Sequence, residues 1–351
     1  MYLSFSLRVL LDAEALNMVE SVGNYTRHRR APLVIVERGG YLIRYVPAIS
    51  GEALAHGYQA ALAELATAAG LPVCDSCRRG EFLKHDTDAH FGNQQWEQRV
   101  IMLAKEGKLH EAEKTLIENC VVEDVGGFLY TDGGVRRTSK VYFGYALPAR
   151  DFYQASAIEP QFHVRHAPTI LQQEKQKEKK TKEKDVGEGE EGTVRGQMIY
   201  YVETGSAVYA ISGLLELSNV GVTTFEKREE VKDAEKRREI ALKALLHMLD
   251  NQLYGAKRSR FLPAWTVTSA VFALSKHIPF MVTTAHVKNY ITETAERASK
   301  YAGLFGDNEW IKVWYYVREG YEPDPKPHNA IRLPSIIDLY KAVKEAAGWR
   351  Q

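Results

Sequence analysis

The run Leu3-Ser4-Phe5-Ser6-Leu7-Arg8-Val9-Leu10-Leu11 has an apolar side chain at every second position from Leu3 to Leu11. Side chains of a β-strand point alternately to its two faces, so this period of two indicates a strand. Ser4, Ser6 and Arg8 would then share the second face. We therefore predict that the fold begins with a half-buried strand, apolar toward the core and polar toward solvent.

A hairpin and a helix are predicted to follow this strand. Strand-like runs at 33–36 and 41–46 flank Glu37-Arg38-Gly39-Gly40, which is typical of a hairpin turn. Ser50 suits the N-cap of a helix that extends to about Ala69. One face of this helix is predicted to be buried: Leu54, Tyr58, Ala61, Leu62 and Leu65. The opposite face is predicted to be exposed: Glu52, His56, Gln59 and Ala63.

Further strands and helices are indicated along the rest of the chain. The predicted helices cover about 94–118, 228–253, 286–301 and 335–347, and the predicted strands include 265–274 and 310–317. Residues 172–196 are rich in Lys, Glu and Gly and lack the apolar side chains needed to order themselves. Because strand-like runs stand on both sides of this tract, we predict a projecting hairpin over 161–211 with a disordered charged tip.

The predicted order of elements favours one fold class. Strand, hairpin, helix, strands, helix and strand make up an α+β domain of the ferredoxin-like or RNA-recognition (RRM-like) type with large insertions. The core would comprise 1–70, 121–160 and 200–351, and 71–120 would be an insertion. A fold of this type does not by itself determine a function.

Four short segments combine basic residues with polar or aromatic neighbours. The 351 residues include 46 Lys and Arg against 45 Asp and Glu, a net charge of +1, so no overall positive field points to nucleic acid. The four segments are Arg27-His28-Arg29-Arg30, Arg136-Arg137-Thr138-Ser139-Lys140, Gln161-Phe162-His163-Val164-Arg165-His166 and Lys257-Arg258-Ser259-Arg260-Phe261. Arginine suits phosphate and aromatic faces stack on bases. One such segment is typical of a solvated loop, but four favour a surface that binds phosphate and sugar.

The first of these segments is predicted to lie in a loop. Residues 21–32, which include the first segment, lie between strand-like runs and should form a connecting loop.

No apolar run reaches the length of a membrane span, and the alternating first residues are unlike a signal peptide. Three cysteines in a chain of this length favour an intracellular, cytoplasmic protein.

The cysteines allow two interpretations. Cys74-x-x-Cys77 resembles half of a zinc site, which Cys120 with His85 or His90 would complete. The chain has no second C-x-x-C, and the spacing is not one of the standard sets. Free buried thiols or a disulfide therefore fit better, and we predict no metal and no cofactor.

Six longer motifs resemble a known family. In chain order they are Val19-Glu-Ser-Val-Gly-Asn-Tyr-Thr-Arg-His-Arg-Arg-Ala-Pro32, Arg44-Tyr-Val-Pro-Ala-Ile-Ser-Gly-Glu-Ala-Leu-Ala-His56, Asp124-Val-Gly-Gly-Phe128, Arg136-Arg-Thr-Ser139, Gln161-Phe-His-Val-Arg165 and Lys257-Arg-Ser-Arg-Phe-Leu-Pro263. They are similar to the backbone subunit of archaeal type I-A CRISPR interference complexes, the DevR-like branch of the repeat-associated mysterious protein superfamily. The resemblance covers nearly the whole chain and is weakest over 74–118 and 172–196.

This resemblance implies a non-catalytic protomer that stacks head to tail along one CRISPR RNA. The core would be the palm, 71–120 a finger and 161–211 a thumb. The guide contacts that transfer by motif are Asn24, Arg27, His28, Arg29, Arg136, Arg137, Ser139, Gln161, His163, Arg165, Lys257, Arg258 and Arg260. The implied partners are CRISPR RNA, further copies of the chain, a Cas-five-type subunit and a small subunit. A target DNA strand would pair with the guide, and a helicase and a nuclease would act on it.

Two other functions remain open at this stage. Histidines at 28, 56, 163 and 166 could support metal-independent cleavage of RNA, but no nucleophile and base occur at a diagnostic spacing. A DNA-binding autoregulator would present a recognition helix, and the sequence contains no clear helix-turn-helix. We therefore predict a protein without enzymatic activity.

Overall fold

Strand β1 (Tyr2–Glu14) is the central element of the structure. The computed structural model describes residues 1–37, 39–166, 197–252, 254–306, 310–320 and 326–349. The other strands in this part of the chain are β2 (Met18–Val22), β3 (Tyr25–His28), β4 (Arg30–Glu37), β5 (Gly40–Pro47), β6 (Phe128–Tyr130), β7 (Val135–Arg137), β8 (Val141–Phe143), β9 (Leu147–Pro148), β10 (Ala157–His166), β11 (Gln197–Leu215), β12 (Ala264–Ser275), β13 (Ile311–Val317) and β14 (Ile331–Arg332). The α-helices are α1 (Gly51–Ala68), α2 (Asp75–Arg78), α3 (Gln95–Lys105), α4 (Leu109–Asn119), α5 (Val121–Gly126), α6 (Ala234–Asp250), α7 (Tyr290–Phe305) and α8 (Leu339–Ala347).

Ten of the described strands form one mixed sheet. Its order is β14-β13-β12-β1-β11-β3-β2, and β8, β9 and β10 also pair with β11. β1 is antiparallel to both neighbours, with Leu7 opposite Ile211 on β11 and Ala270 on β12. The chain is therefore a mixed α+β structure, as predicted.

Both faces of this sheet are covered. On one face, the alternating apolar residues of β1 pack against α1 and α6 in the main core, which includes Leu54 and Leu245. On the other face, Val271 and Val313 pack against the segment around Phe280 and against α7. The sheet is thus an inner layer between two sets of helices and loops.

The polar face of β1 is buried, which corrects the prediction of a half-buried strand. Ser4 Oγ donates a hydrogen bond to the Phe280 carbonyl at 2.6 Å, and Arg8 Nε donates to the Ala285 carbonyl at 2.9 Å. Arg8 also forms a bidentate ion pair with Asp151 at 2.8 Å. The serines and the arginine form hydrogen bonds with backbone groups of the segment that covers this face. The alternating apolar and polar residues of β1 therefore lie on two faces that are both buried.

The predicted hairpins form, and the predicted basic loop does not. Glu37 pairs with Gly40 across the β4–β5 turn. β10 and β11 pair antiparallel from Ala157 opposite Ser206 to His166 opposite Gln197, while the predicted tip at 172–196 lies outside the described residues. Residues 21–32, predicted as a loop, mostly form strands, because β3 pairs with β2 and, in parallel, with β11.

Helix α1 begins as predicted but is buried more widely. The Ser50 hydroxyl accepts a hydrogen bond from the Ala53 amide at 3.2 Å, which caps the helix. Glu52 and His56 are exposed, whereas Gln59 and Ala63 are buried rather than exposed. The reason is that α5 packs on a second side of α1.

Four other predicted helices differ in their bounds. Helix α7 covers Tyr290–Phe305 instead of 286–301, and α8 begins at Leu339 instead of 335. The single helix predicted at 94–118 is divided into α3 and α4 by Gly107, whose φ of 75° favours glycine. Helix α6 begins at Ala234 instead of near 228, since Val222 pairs with Glu230 in an extended bridge. Its predicted pair of Asp233 with Arg237 is present at 2.7 Å.

The insertion at 71–120 shares a small core with other parts of the chain. Side chains of α3 and α4, including Val100 and Leu116, pack with Tyr130 and Val135 of β6 and β7 and with Val231. Among the helices described, none combines the length and apolar content that crossing a membrane requires.

Candidate nucleic-acid interface

The first and third basic segments meet on strand β11. β3 runs beside β11, with Tyr25 opposite Tyr201, and β10 lies on the other edge of the same stretch. The ring of Tyr201 contacts Tyr25 at 5.8 Å and Phe162 at 5.4 Å between centroids. Asn24, a predicted contact, is exposed and donates to the Ile199 carbonyl at 2.9 Å. These contacts attach the first segment to the base of the β10–β11 hairpin.

The fourth segment reaches the opposite side of the same hairpin. Arg260 Nη1 donates to the Tyr200 hydroxyl at 2.8 Å, and its guanidinium lies 5.7 Å from the Tyr200 ring centroid. The His163 ring stacks on Tyr200 at 5.1 Å and meets Phe261 edge-on at 5.4 Å. We call His163, Tyr200, Arg260 and Phe261 the Tyr200 cluster. It combines a cation with aromatic rings, which suits a phosphate and a neighbouring base or ribose.

Some of the predicted RNA contacts around the Tyr200 cluster are accessible to solvent, and others are partly or fully shielded. Lys257, Arg258 and Arg260 are exposed, and Lys257 has a φ of 56°, in a tight turn. Gln161 is half-buried on β10. Nε2 of His163 is shielded from solvent and meets no hydrogen-bond partner among the described residues. The backbone of Arg165 pairs with Met198, but its side chain lies outside the described part of the structure.

His28 is enclosed in the fold, which corrects its prediction as a guide contact. Its Nε2 meets a carboxylate oxygen of Glu14, and its Nδ1 lies 2.7 Å from the Arg29 carbonyl. Its backbone amide donates to Glu203 at 2.9 Å, and Tyr209 donates to Glu14 at 2.7 Å. Because the ring is buried and both nitrogens are engaged, His28 fastens β3 to β1 and β11.

The His28–Glu14 pair should make stability depend on pH. Burial alone lowers the pKa of His28, but the hydrogen bond and charge of Glu14 outweigh burial and raise the pKa above its usual 6.5. A histidine whose pKa is raised on folding stabilises fully below the unfolded pKa and loses that contribution as pH rises through the folded pKa. We expect the free energy of unfolding to fall as pH rises above about 6.5, and to fall less in His28→Gln. Denaturant titrations across this range measure the difference, and identical pH profiles for the two proteins would contradict it.

Two of the remaining arginines of the first segment, Arg27 and Arg30, are exposed and lie beside carboxylates. Arg27 pairs with exposed Glu20 at 3.2 Å, and Arg30 pairs with Glu203 at 2.9 Å. Exposed ion pairs contribute little, so a phosphate can replace Glu20 as the partner of Arg27. Arg29 is half-buried and lies 3.4 Å from the Tyr145 hydroxyl.

The two arginines of the second segment point in opposite directions. Successive side chains of a strand alternate between faces, and on β7 this leaves Arg136 exposed and Arg137 buried. Arg137 forms ion pairs with Glu113 at 2.9 Å and Asp124 at 2.5 Å, and Asp124 also meets buried Arg237 at 3.3 Å. The prediction that Arg137 contacts RNA is therefore corrected, since its guanidinium is fully used inside the protein.

Ser139 lines a groove that sequence reasoning missed. The groove has a volume of about 730 Å³ and is also lined by His56, Phe82, Lys84 and Tyr145. Tyr145 is the residue that Arg29 contacts, so the groove adjoins the first basic segment. Lys84 and Tyr145 stand outside the charged segments, and only their position in the fold reveals them. Tyr200 and Tyr201 were missed for the same reason.

Comparison with known proteins identifies the family. The family model described as "CRISPR-associated negative auto-regulator DevR/Csa2" matches residues 5–295. The "CRISPR-associated protein Cas7/Csa2 1" of Saccharolobus solfataricus is 37% identical, over 91% of this chain and 93% of that protein. The "CRISPR-associated aCascade subunit Cas7/Csa2 2" of the same organism is 38% identical, over 98% and 99%.

A solved structure supports the fold independently. A chain of a "CRISPR RNA-guided surveillance complex, pre-nicking" superposes with a TM-score of 0.54 at 10% identity, covering 99% of this chain and 100% of that chain. At this identity the likeness concerns the fold alone. The match over 5–295 and the two relatives confirm the resemblance of the six motifs. The chain belongs to the DevR/Csa2 family of CRISPR-associated proteins.

Proposed function

We propose that this protein holds a single-stranded CRISPR RNA as a non-catalytic backbone subunit of a type I-A Cascade complex. The observation that carries the proposal is the convergence of three basic segments on the β10–β11 hairpin, where cations stand beside aromatic rings. Cations bind phosphate and rings stack on any base, so such a surface holds RNA of any sequence. The names of the relatives, one of them an aCascade subunit, agree with this role.

The core fits an RNA-recognition-type palm. Strands β12, β1, β11 and β8 lie side by side and antiparallel, and α1 and α6 pack together on one face. This is the strand order of a ferredoxin-like domain when β8 is its second strand, β11 its third and β12 its fourth. We therefore assign this unit as the palm, the insertion at 71–120 as a finger and the β10–β11 hairpin as a thumb.

One face of the β4–β5 hairpin is suited to contact with a second copy. Its inner face packs through Leu33 and Ile35, whereas the large apolar side chains of its outer face are exposed: Val34, Val36, Tyr41, Ile43 and Tyr45. A contiguous apolar patch of this kind marks a protein contact. A head-to-tail contact between identical chains does not close, so copies would extend along the RNA.

Further parts of the proposal follow from guide holding. The complex would include a Cas-five-type subunit and a small subunit in the cytoplasm, and the target DNA strand would pair with the exposed guide bases. A separate helicase and nuclease would cut the target. For this chain we propose no catalysis, because His28 is enclosed with Glu14 and His163 stacks on Tyr200, which gives neither ring the position of a general base.

Equilibrium binding tests this function against the two alternatives. We expect the purified protein to bind single-stranded RNAs of unrelated sequence with similar affinity, to bind duplex DNA more weakly, and to leave the RNA intact. Cleaved RNA would establish the endoribonuclease instead. Preference for one promoter duplex, with RNA competing poorly, would establish the autoregulator.

A further inference from the structure

The fold brings all three cysteines and one carboxylate to a single point. Cys74, Cys77, Cys120 and Glu123 are buried, and their sulfur atoms and a carboxylate oxygen all lie within 4.8 Å of one another. Cys74 Sγ lies 3.3 Å from Glu123 Oε1. The three cysteines are free thiols. The donors of a tetrahedral zinc site with bonds of about 2.3 Å stand roughly 3.8 Å apart, so these four groups are placed to close on one ion.

Two short segments position these groups. In the first segment, Cys74 immediately precedes α2, and Cys77 lies within α2. In the second segment, Cys120 lies between α4 and α5, and Glu123 lies in the first turn of α5. The Val121 amide donates to the Pro72 carbonyl at 2.9 Å, which fastens the two segments together. The arrangement therefore depends on backbone contacts as well as on the side chains themselves.

A carboxylate in this position needs a partner that the surrounding protein does not fully supply. Glu123 is completely buried, and its Oε2 meets no hydrogen-bond donor within the described residues. Burying a carboxylate oxygen without a partner is costly, and apolar neighbours or neutral thiols offset little of that cost. A bound cation would satisfy it. This orphaned oxygen is an observation independent of the cysteine spacing.

His85 holds the carboxylate in place from outside. Its Nδ1 lies 2.7 Å from Glu123 Oε1, and its Nε2 lies 3.3 Å from Glu97 Oε1. Phe91 and Trp96 pack on the ring at 4.6 and 5.3 Å between centroids. Ligating carboxylates in metal sites are themselves hydrogen-bonded by such outer partners, which fix their orientation.

We propose that Cys74, Cys77, Cys120 and Glu123 bind one structural Zn²⁺ ion. Thiolate ligands favour zinc over the hard cations magnesium and calcium, and four protein ligands leave no open position for catalysis. On binding, each thiol loses its proton to solvent and becomes a thiolate. The ion would fasten the start of the 71–120 insertion to α5. This revises the prediction of no metal. The sequence offered His85 or His90 as the fourth ligand beside Cys120, whereas the structure places Glu123 there and His85 behind it.

The test uses the whole 351-residue chain, purified under reducing conditions without added metal or chelator. We expect elemental analysis to find one zinc per chain, and we expect cobalt substitution to give the visible bands of tetrahedral cobalt with thiolate charge transfer. Glu123→Gln should weaken zinc affinity by at least about 100-fold, judged by competition with a chromogenic chelator, because losing a charged ligand costs no less than losing an outer partner of a ligand. Glu118→Gln, which changes an exposed carboxyl nearby, should leave the affinity unchanged.

Two results would overturn the proposal. One is metal-free protein with three titratable thiols that takes up neither zinc nor cobalt. The other is an intact mass two hydrogens short, which shows a disulfide in the purified protein. The cobalt spectrum is recorded on the unaltered protein, so a variant that fails to fold does not affect it. The test is independent of RNA binding.

Discussion

Arg137→Ala should destabilise the protein by about 3–5 kcal/mol, whereas Arg136→Ala should change the stability by less than about 0.5 kcal/mol. The two positions are neighbours on β7, yet only Arg137 is buried. Removing its guanidinium would leave Glu113 without its cation and Asp124 with Arg237 alone. A buried carboxylate deprived of its partner carries a desolvation cost that water does not repay.

Chemical denaturation of the two variants measures this difference directly. An RNA-binding assay tests the other residue of the pair. Arg136→Ala should weaken RNA binding while leaving the fold intact. Equal and small losses of stability for both variants would show that Arg137 is not part of a buried ion-pair network. The pair is matched in residue type, in strand and in the size of the change.

Replacing Lys257, Arg258 and Arg260 together by Ala should weaken RNA binding by roughly 10–100-fold and lower the salt slope by about 2. Each phosphate that a cation neutralises on single-stranded nucleic acid contributes about 0.7 to that slope. Arg260 also contacts Tyr200, so its loss removes one wall of the Tyr200 cluster. All three side chains are exposed, and we expect the variant to fold normally.

The control removes the same charge elsewhere. Lys288, Lys300 and Lys341 are exposed, and the latter two lie on α7 and α8. Their triple replacement by Ala should leave the RNA affinity and the salt slope nearly unchanged. Fluorescence anisotropy between roughly 50 and 200 mM salt would compare the variants. Similar losses in both triple variants would mean that RNA is attracted by overall charge and not by the loop at 257–260.

Periodicity predicted the elements of the fold better than their surroundings. The alternation from Leu3 to Leu11 correctly located β1, but a single strand carries no signal about what covers its second face. That face is covered by the segment around Phe280, far away in sequence. Gln59 is a similar case, because α5 meets a side of α1 that the helical pattern marked as exposed.

The sequence located the segments that form the candidate site, but not which of their side chains are exposed. Charge clustering located four segments, but alternation on a strand separates adjacent residues, which is why Arg137 belongs to the interior while Arg136 remains available. His28 is unavailable to RNA because β3 packs against β1 and β11, where the His28 ring pairs with Glu14. The aromatic partner Tyr200 and the proposed zinc ligand Glu123 come from elsewhere in the chain, and only the folded arrangement brings them next to His163 and the cysteines.

The most direct test of guide holding is the mass of complexes formed with single-stranded RNAs of increasing length. Sedimentation or native mass spectrometry of the purified protein with each RNA gives the number of protomers per strand. A backbone subunit predicts that this number rises in regular steps with RNA length, and that the RNA is recovered uncut. One protomer on every RNA regardless of length, or RNA returned as fragments, would contradict the account.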